Sequence, residues 1–257
     1  MKRSLKSILL AIAGVLIIFP FLYLVMLSFA SEWQYPNILP GYFGLNNWKT
    51  ILGSEIGLLT SFFESVLISL SVAFVSTLSG FWGSRAVYNH PNNKLLTLLT
   101  YFPYILAPVV FAACFSYFFI KMGLFGNAFG VVAAQFLITY PFALIFFSSF
   151  WNKKIRSYEE LVTTLGGNSF QTYVMVLLPL AKGLLLICFF QTFLISWFEY
   201  GLTSVIGLGK VQTLTIKVFM YIKEANYYYG ALSCCLLIFP PVLLLYFNKK
   251  YVFKSLV

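Results

Sequence analysis

The sequence is poor in charge and contains no aspartate at all. Only 9% of its 257 residues are charged, whereas a soluble domain carries about 25%. One histidine, His90, offers too few ligands for a metal site. The four cysteines lie in apolar segments at positions 114, 188, 234 and 235, which is typical of buried thiols. We therefore expect neither a metal centre nor a disulfide framework.

Apolar residues make up 60% of the chain, and the mean hydropathy is +0.88. A soluble domain of this size cannot bury such a fraction away from water. About 20 consecutive apolar residues cross the hydrocarbon core of a bilayer. Six segments meet this length, at about 8–30, 60–84, 95–120, 128–150, 179–206 and 227–247. The sequence therefore predicts an all-α, polytopic membrane protein with about six transmembrane helices, forming a single domain over residues 1–257.

Two of these segments are irregular. Pro103 and Pro108 are expected to kink the third span. The fifth is too long for one straight crossing, so its end near Gly201–Gly209 is expected to be re-entrant or exposed in a cavity.

The basic residues predict the orientation of the chain. Of 17 lysines and arginines, the loops on one side hold only Lys49, Lys121, Lys210, Lys217 and Lys223. The rest lie on the side of both termini, which is therefore predicted to be cytoplasmic. Because the net charge of +10 is spread in short clusters between apolar runs, nucleic acid is not an expected partner.

The most informative stretch lies between the fourth and fifth spans, on the predicted cytoplasmic side. Ser157 and Glu160 have the spacing of a capping box, which predicts a short helix from about Tyr158 to Leu165. Gly166 and Gly167 are expected to end it, because glycine accepts the left-handed conformation of a helix end. Asn168 and Gln171 predict a second short helix, and Pro179 suits the first turn of the fifth span. These residues predict a helix–turn–helix elbow over about 151–179.

This elbow resembles the EAA motif of ATP-binding cassette (ABC) importer permeases, in which a glutamate, a glycine and a proline stand at fixed spacing. Glu160, Gly166 and Pro179 take those places, with Val176 and Leu178 in the closing apolar positions. Leu161 and Val162 replace the usual alanines. Shorter stretches, such as 20–29 and 196–214, are similar to polyamine-, iron-, thiamine- and phosphonate-type permeases. A generic interfacial elbow with a capping box remains the alternative interpretation.

The resemblance implies a type I ABC importer permease fold in a bacterial cytoplasmic membrane. It implies a non-catalytic chain that forms half of a pathway for a small solute, with polyamine or another organic cation favoured. The sequence has no phosphate loop, so ATP and magnesium would be bound by two copies of a separate ATPase. A second permease chain and an extracellular solute-binding protein are the other implied partners.

Candidate site residues fall into two groups. The resemblance assigns ATPase coupling to the elbow, at Tyr158, Glu160, Leu161, Thr164, Leu165, Gly166, Gly167 and Pro179. Polar and aromatic residues near the outer ends of the spans are candidates for the pathway, because ionisable groups inside a membrane are costly: Glu64, Gln191, Trp197, Glu199 and Tyr200. Solvation in the outer headgroup zone is the competing explanation for Glu64 and Glu199.

Two other classes of function remain open. A self-contained channel or secondary transporter would need ionisable relay residues in several spans, or inverted repeats, and neither is evident. A membrane-embedded enzyme would need a cluster of histidine and carboxylates at one depth, which this composition disfavours.

Overall fold

The computed structural model describes residues 2–30, 37, 39–51 and 57–251. Within them the chain is helical. The helices, in order, are α1 (Lys2–Ser28), α2 (Asn46–Ile51), α3 (Leu58–Asn89), α4 (Asn93–Thr100), α5 (Pro108–Lys121), α6 (Ala128–Ser148), α7 (Lys153–Thr164), α8 (Ser169–Gln171), α9 (Leu178–Trp197), α10 (Gly201–Ile206), α11 (Leu214–Lys223) and α12 (Tyr227–Tyr251). A 3-10 turn at Phe102–Tyr104 follows α4, and a π-helical segment at Thr172–Leu177 precedes α9.

The predicted spans correspond to helices of suitable length. Among the described residues, four helices are long and apolar enough to cross a membrane: α3, α6, Ser169–Trp197 and α12. A fifth is the broken pair Asn93–Tyr104 and Pro108–Lys121, and Ile12–Ser28 of α1 is a shorter apolar helix. The all-α, polytopic fold is therefore confirmed, with a helix count close to the six expected. The cytoplasmic position of both termini stays a prediction.

The third span is broken rather than gently kinked. Its two halves meet at 99°. Pro103 lies in the 3-10 turn, and Pro108 begins α5 after the extended residue Ala107. Proline lacks the backbone N–H that a continuing helix needs and disfavours helical geometry in the residue before it. The predicted prolines are thus confirmed as the site of the break.

The chain folds into two compact units. One comprises the chain up to Phe63 together with Thr213–Val242, and the other comprises Glu64–Gln212 together with the chain from Leu243. The single domain expected over 1–257 stays a prediction. In the first unit, Leu27, Ala30 and Ala231 form a buried cluster. The indole N–H of Trp48 donates to the Ser28 hydroxyl at 3.3 Å.

The second unit holds the larger core. Phe81 of α3 is fully buried among rings from the end of α6 and the segment after it, including Phe147, Phe150 and Trp151. Gly80 allows close approach of α6, since a Cβ there would overlap the side chain of Ala143. Small residues at such crossings let membrane helices pack without a hydrophobic driving force between them.

Candidate functional site

The elbow consists of α7, the Gly166–Gly167 turn, α8 and the π-helical segment that leads into α9. Its first helix begins at Lys153, capped by the Asn152 side chain, which accepts the backbone N–H of Ile155 at 3.1 Å. The predicted start near Tyr158 and the capping box of Ser157 with Glu160 are therefore wrong. Ser157 lies inside the helix, where its hydroxyl donates to the Lys153 carbonyl. An earlier asparagine supplies the cap instead.

The glycine turn is confirmed in detail. Gly166 has φ +80°, the left-handed conformation that glycine adopts without strain. Its N–H donates to the Thr163 carbonyl at 3.0 Å, and the Gly167 N–H donates to the Val162 carbonyl at 2.9 Å. These two bonds form a Schellman motif, which satisfies the last carbonyls of α7.

The second helix begins as predicted. Asn168 accepts the backbone N–H of Gln171 at 2.8 Å, and the Gln171 side chain accepts the Asn168 N–H at 2.9 Å. This reciprocal capping box confirms the sequence prediction. Pro179 lies in the first turn of α9, as expected. The π-helical segment between them had no sequence signal.

The coupling candidates divide into inward-facing and outward-facing side chains. Tyr158 is half-buried and packs against the Phe81 cluster, as does the buried Ile155. By contrast, Leu161 is 56% exposed and Leu165 is 78% exposed. Phe170 of α8, which the sequence analysis missed, is 74% exposed. We call Leu161, Leu165 and Phe170 the elbow surface.

The polar candidates on α7 make contacts within the helix. Glu160 is exposed and pairs with Arg156 one turn earlier, at 3.1 Å between Nε and Oε1. The Thr164 hydroxyl donates to the Glu160 carbonyl at 2.8 Å. The neighbouring Glu159, not singled out from sequence, instead approaches Arg85 of α3, with 3.0 Å between Oε1 and Nε.

The pathway candidates lie in different environments. Glu64 is half-buried and accepts a hydrogen bond from the backbone of Gln212. Gln191 is exposed on α9, while Trp197 is 2% exposed and stacks on Phe193. Gln191 lies within α9, whereas Glu199 lies beyond the end of that helix at Trp197.

Glu199 and Tyr200 line a cavity of about 400 Å³. Its walls come from the start of α5, the middle of α6, the end of α9 and the start of α10, with polar contributions from Gln135, Thr139 and Ser196. The break between α9 and α10 confirms that the fifth segment is not one straight crossing and that its end borders a cavity. Tyr200 and Glu199 are thus brought together, whereas Glu64, Gln191 and Trp197 do not line this cavity.

A chain of hydrogen-bonded polar side chains forms part of the wall of this cavity. The Ser196 hydroxyl donates to Gln135 Oε1 and lies 3.2 Å from the Ser69 hydroxyl. Gln135 Nε2 donates to the Thr203 hydroxyl at 3.0 Å, which donates to Glu199 at 2.8 Å. Gln135 is an isolated amide in an apolar span, a signal that could have identified it from the sequence, because polar groups in a membrane require partners.

Comparisons with known proteins agree with this architecture, although no family model matches the chain. The inner membrane ABC transporter permease YcjP of Escherichia coli is 21% identical over 96% of this chain and 91% of its own. The diacetylchitobiose uptake system permease NgcG of Streptomyces coelicolor is 25% identical over 95% of this chain and 83% of its own.

A solved structure shares the fold. It is the crystal structure of a bacterial ABC transporter involved in the import of the acidic polysaccharide alginate. It superposes with a TM-score of 0.75 at 18% identity, covering 97% of this chain and 95% of the matched chain. The chain therefore has the fold of an ABC importer permease, and its relatives are ABC transporter permeases. The expected similarity to polyamine-, iron- or thiamine-type permeases is not supported by these relatives.

Proposed function

We propose that this chain is the membrane-spanning subunit of an ATP-driven importer, and that the elbow surface docks on a separate ATPase. One observation carries the docking proposal. Leu161, Leu165 and Phe170 are exposed, whereas Ile155 and Tyr158 of the same element pack into the core.

Lipid does not readily account for this exposure. The elbow surface shares α7 with two lysines, an arginine and two glutamates, and charged groups are expensive within the hydrocarbon core. Apolar side chains that face water on a polar helix are typical of a protein interface. Short helices that insert such side chains into a partner's groove are a common form of recognition.

The assembly follows from this role. Two copies of the ATPase would bind ATP and magnesium, and a second permease chain would complete the pathway. An extracellular solute-binding protein would deliver the solute. Gly166, Gly167 and Pro179 would then fix the shape of the docking element, while Glu160 and Thr164 would border the interface. In this proposal the chain itself carries no catalytic group.

The solute is proposed to be a saccharide rather than a cation. The name of the Streptomyces relative specifies diacetylchitobiose. The Glu199 carboxylate, which would be the acidic station for a cation, already accepts the N–H groups of Leu202 and Thr203 and the Thr203 hydroxyl. The cavity beside it presents Tyr200 and apolar side chains, surfaces against which a sugar ring can pack. Glu64 and Gln191 lie outside this cavity.

Co-purification tests the docking proposal. The chain would be expressed with the ATPase and second permease from its own operon, with Leu161 and Leu165 both changed to alanine. Each buried leucine is worth about 1.5–3 kcal/mol, and every 1.4 kcal/mol is tenfold in affinity. We expect at least a tenfold loss of retained ATPase. In the control variant, Leu98 and Leu99 of α4, which are similarly exposed, are both changed to alanine. This variant should retain the ATPase.

Retention of the ATPase by the Leu161→Ala, Leu165→Ala variant at the wild-type level would show that the elbow surface is not the dock. If the chain were instead a self-contained transporter, the competing class of function, a different result would be expected. The purified chain alone in liposomes would then take up diacetylchitobiose or maltose without ATP or an ATPase.

A further inference from the structure

The elbow is joined to the end of α3 by an ion pair between helices. Arg85 Nε lies 3.0 Å from Glu159 Oε1, and the two side chains are 31% and 20% exposed. Partial burial matters here, because charges shielded from water interact more strongly than surface pairs. A second ion pair, Arg156–Glu160, lies within α7 and does not connect it to another helix.

Packing reinforces this junction from the same stretch of α3. The indole N–H of Trp151, just before α7, donates to the Ser84 hydroxyl at 2.8 Å. The Trp151 ring stacks on Phe81, with centroids 5.3 Å apart, and Phe81 also contacts Tyr173 from the far side of the elbow at 5.7 Å. The elbow is therefore held to α3 at both of its ends.

The same helix reaches the cavity wall. Ser76 of α3 contacts Thr139 of α6 at 2.6 Å, and Thr77 contacts Thr192 of α9 at 3.3 Å. Further along, Ser69 contacts Ser196, which lines the cavity. From Arg85 to Ser69 a continuous helix spans about 24 Å. A displacement of the end of α3 that contacts the elbow would therefore also move the part of α3 that contacts Ser196.

We propose that Arg85 is a positioning residue for energy coupling: its ion pair with Glu159 transmits displacement of the elbow into α3 and thereby to the cavity. This inference rests on the proposed function. Arginine suits the role, because its guanidinium carries a permanent charge. The docking surface and this joint occupy different faces of the elbow, so that docking and transmission are separable.

The experiment measures docking and transmission in one preparation. Val109, which lines the cavity and lies against Gly201, is changed to cysteine and labelled with bimane. The exposed Cys114 is changed to serine so that it does not react. The assembled complex is then scored for retained ATPase and for the change in bimane fluorescence on adding ATP, magnesium and vanadate.

We expect Arg85→Ala and Glu159→Ala each to retain the ATPase but to lose at least four-fifths of the nucleotide-driven signal. Exchanging the charges, Arg85→Glu with Glu159→Arg, should restore at least half of it. The control is Arg156→Ala, which removes an arginine from the more exposed ion pair inside α7 and should leave the signal unchanged. Rescue by the exchanged pair is a result that a purely folding role would not predict.

Three results would overturn the inference. The single variants could keep the full signal, the exchanged pair could fail to restore it while retaining the ATPase, or the single variants could lose the ATPase itself, which would assign the pair to docking. Failure of the proposed function can be distinguished from failure of this inference, because the unaltered complex would then retain no ATPase or give no nucleotide-driven signal.

Discussion

Glu199 and Thr203 are joined by two hydrogen bonds at the start of α10. Glu199 Oε2 accepts the Thr203 backbone N–H at 3.0 Å and its hydroxyl at 2.8 Å. The other carboxylate oxygen accepts the Leu202 N–H at 2.6 Å. A carboxylate in this position accepts hydrogen bonds from backbone N–H groups that have no partner at a helix start. Its negative charge also interacts favourably with the positive end of the helix dipole. Glu199 thus stabilises the break between α9 and α10 that shapes the cavity.

Changing Glu199 tests its capping role at the start of α10. Glu199→Ala should lower the free energy of unfolding by about 2 kcal/mol, the upper range for loss of a cap. Glu199→Gln keeps one acceptor oxygen and should lose less than half of that. Thermal unfolding of the purified chain would measure both. A glutamine variant as unstable as the alanine variant would show that the negative charge itself, not the acceptor geometry, holds α10.

The polar chain in the cavity wall predicts a loss of stability when Ser196 is removed. Ser196→Ala leaves Gln135 Oε1 without its donor, and an unsatisfied buried acceptor costs about 1–3 kcal/mol. Ser79→Ala is the matched control, because Ser79 is only half-buried on α3 and donates to the carbonyl of Val75 in its own helix. Thermal unfolding should show a lower midpoint for the first variant only. Equal midpoints would mean that the Ser196–Gln135 bond contributes nothing to stability.

Substituting alanine for either glycine of the elbow should destabilise the turn, but for a different physical reason at each position. A Cβ on Gly167 would lie 2.5 Å from Val162 Cγ1, whereas one on Gly166 would meet nothing within 4 Å. Gly166→Ala therefore suffers only the left-handed backbone, about 1–2 kcal/mol. Gly167→Ala suffers a clash that Val162→Ala should partly relieve. Hydrogen exchange over residues 158–168 measures both.

In that experiment, Val162→Ala should slow exchange in the Gly167→Ala chain and leave it unchanged in the Gly166→Ala chain. If Val162→Ala slowed exchange in both chains, or in neither, the result would contradict the geometry of the turn.

The features that sequence predicted correctly are those encoded locally. Long apolar runs require a lipid environment, so the crossing helices followed from composition. Gly166 and the Asn168–Gln171 capping box followed from the backbone conformations that those residue types favour. The break in the third span followed from Pro103 and Pro108, although its angle did not, because proline marks where a helix stops and not the direction of the next one.

The features that sequence missed depend on residues far apart in the chain. Glu159 and Arg85 are separated by the whole of α4 to α6, and nothing local distinguishes Glu159 from its neighbour Glu160. The hydrogen bonds of Glu199 were missed for a related reason. An acidic residue near a membrane suggests a cation site, but here the carboxylate oxygens of Glu199 accept hydrogen bonds from the backbone N–H groups at the start of α10. The start of α7 was misplaced because Ser157 and Glu160 fit a capping box by spacing alone, whereas Asn152 provides the actual cap.

The most direct test of the account is the side of the membrane on which the elbow lies. Leu165→Cys, in a chain with Cys114→Ser, would be treated with a membrane-impermeant maleimide in intact cells and in inverted membrane vesicles. A cytoplasmic elbow predicts labelling in inverted vesicles and none in intact cells, with protection when the ATPase is co-expressed. Labelling from the outside of intact cells, or no labelling on either side, would contradict an elbow that receives energy from a cytoplasmic ATPase.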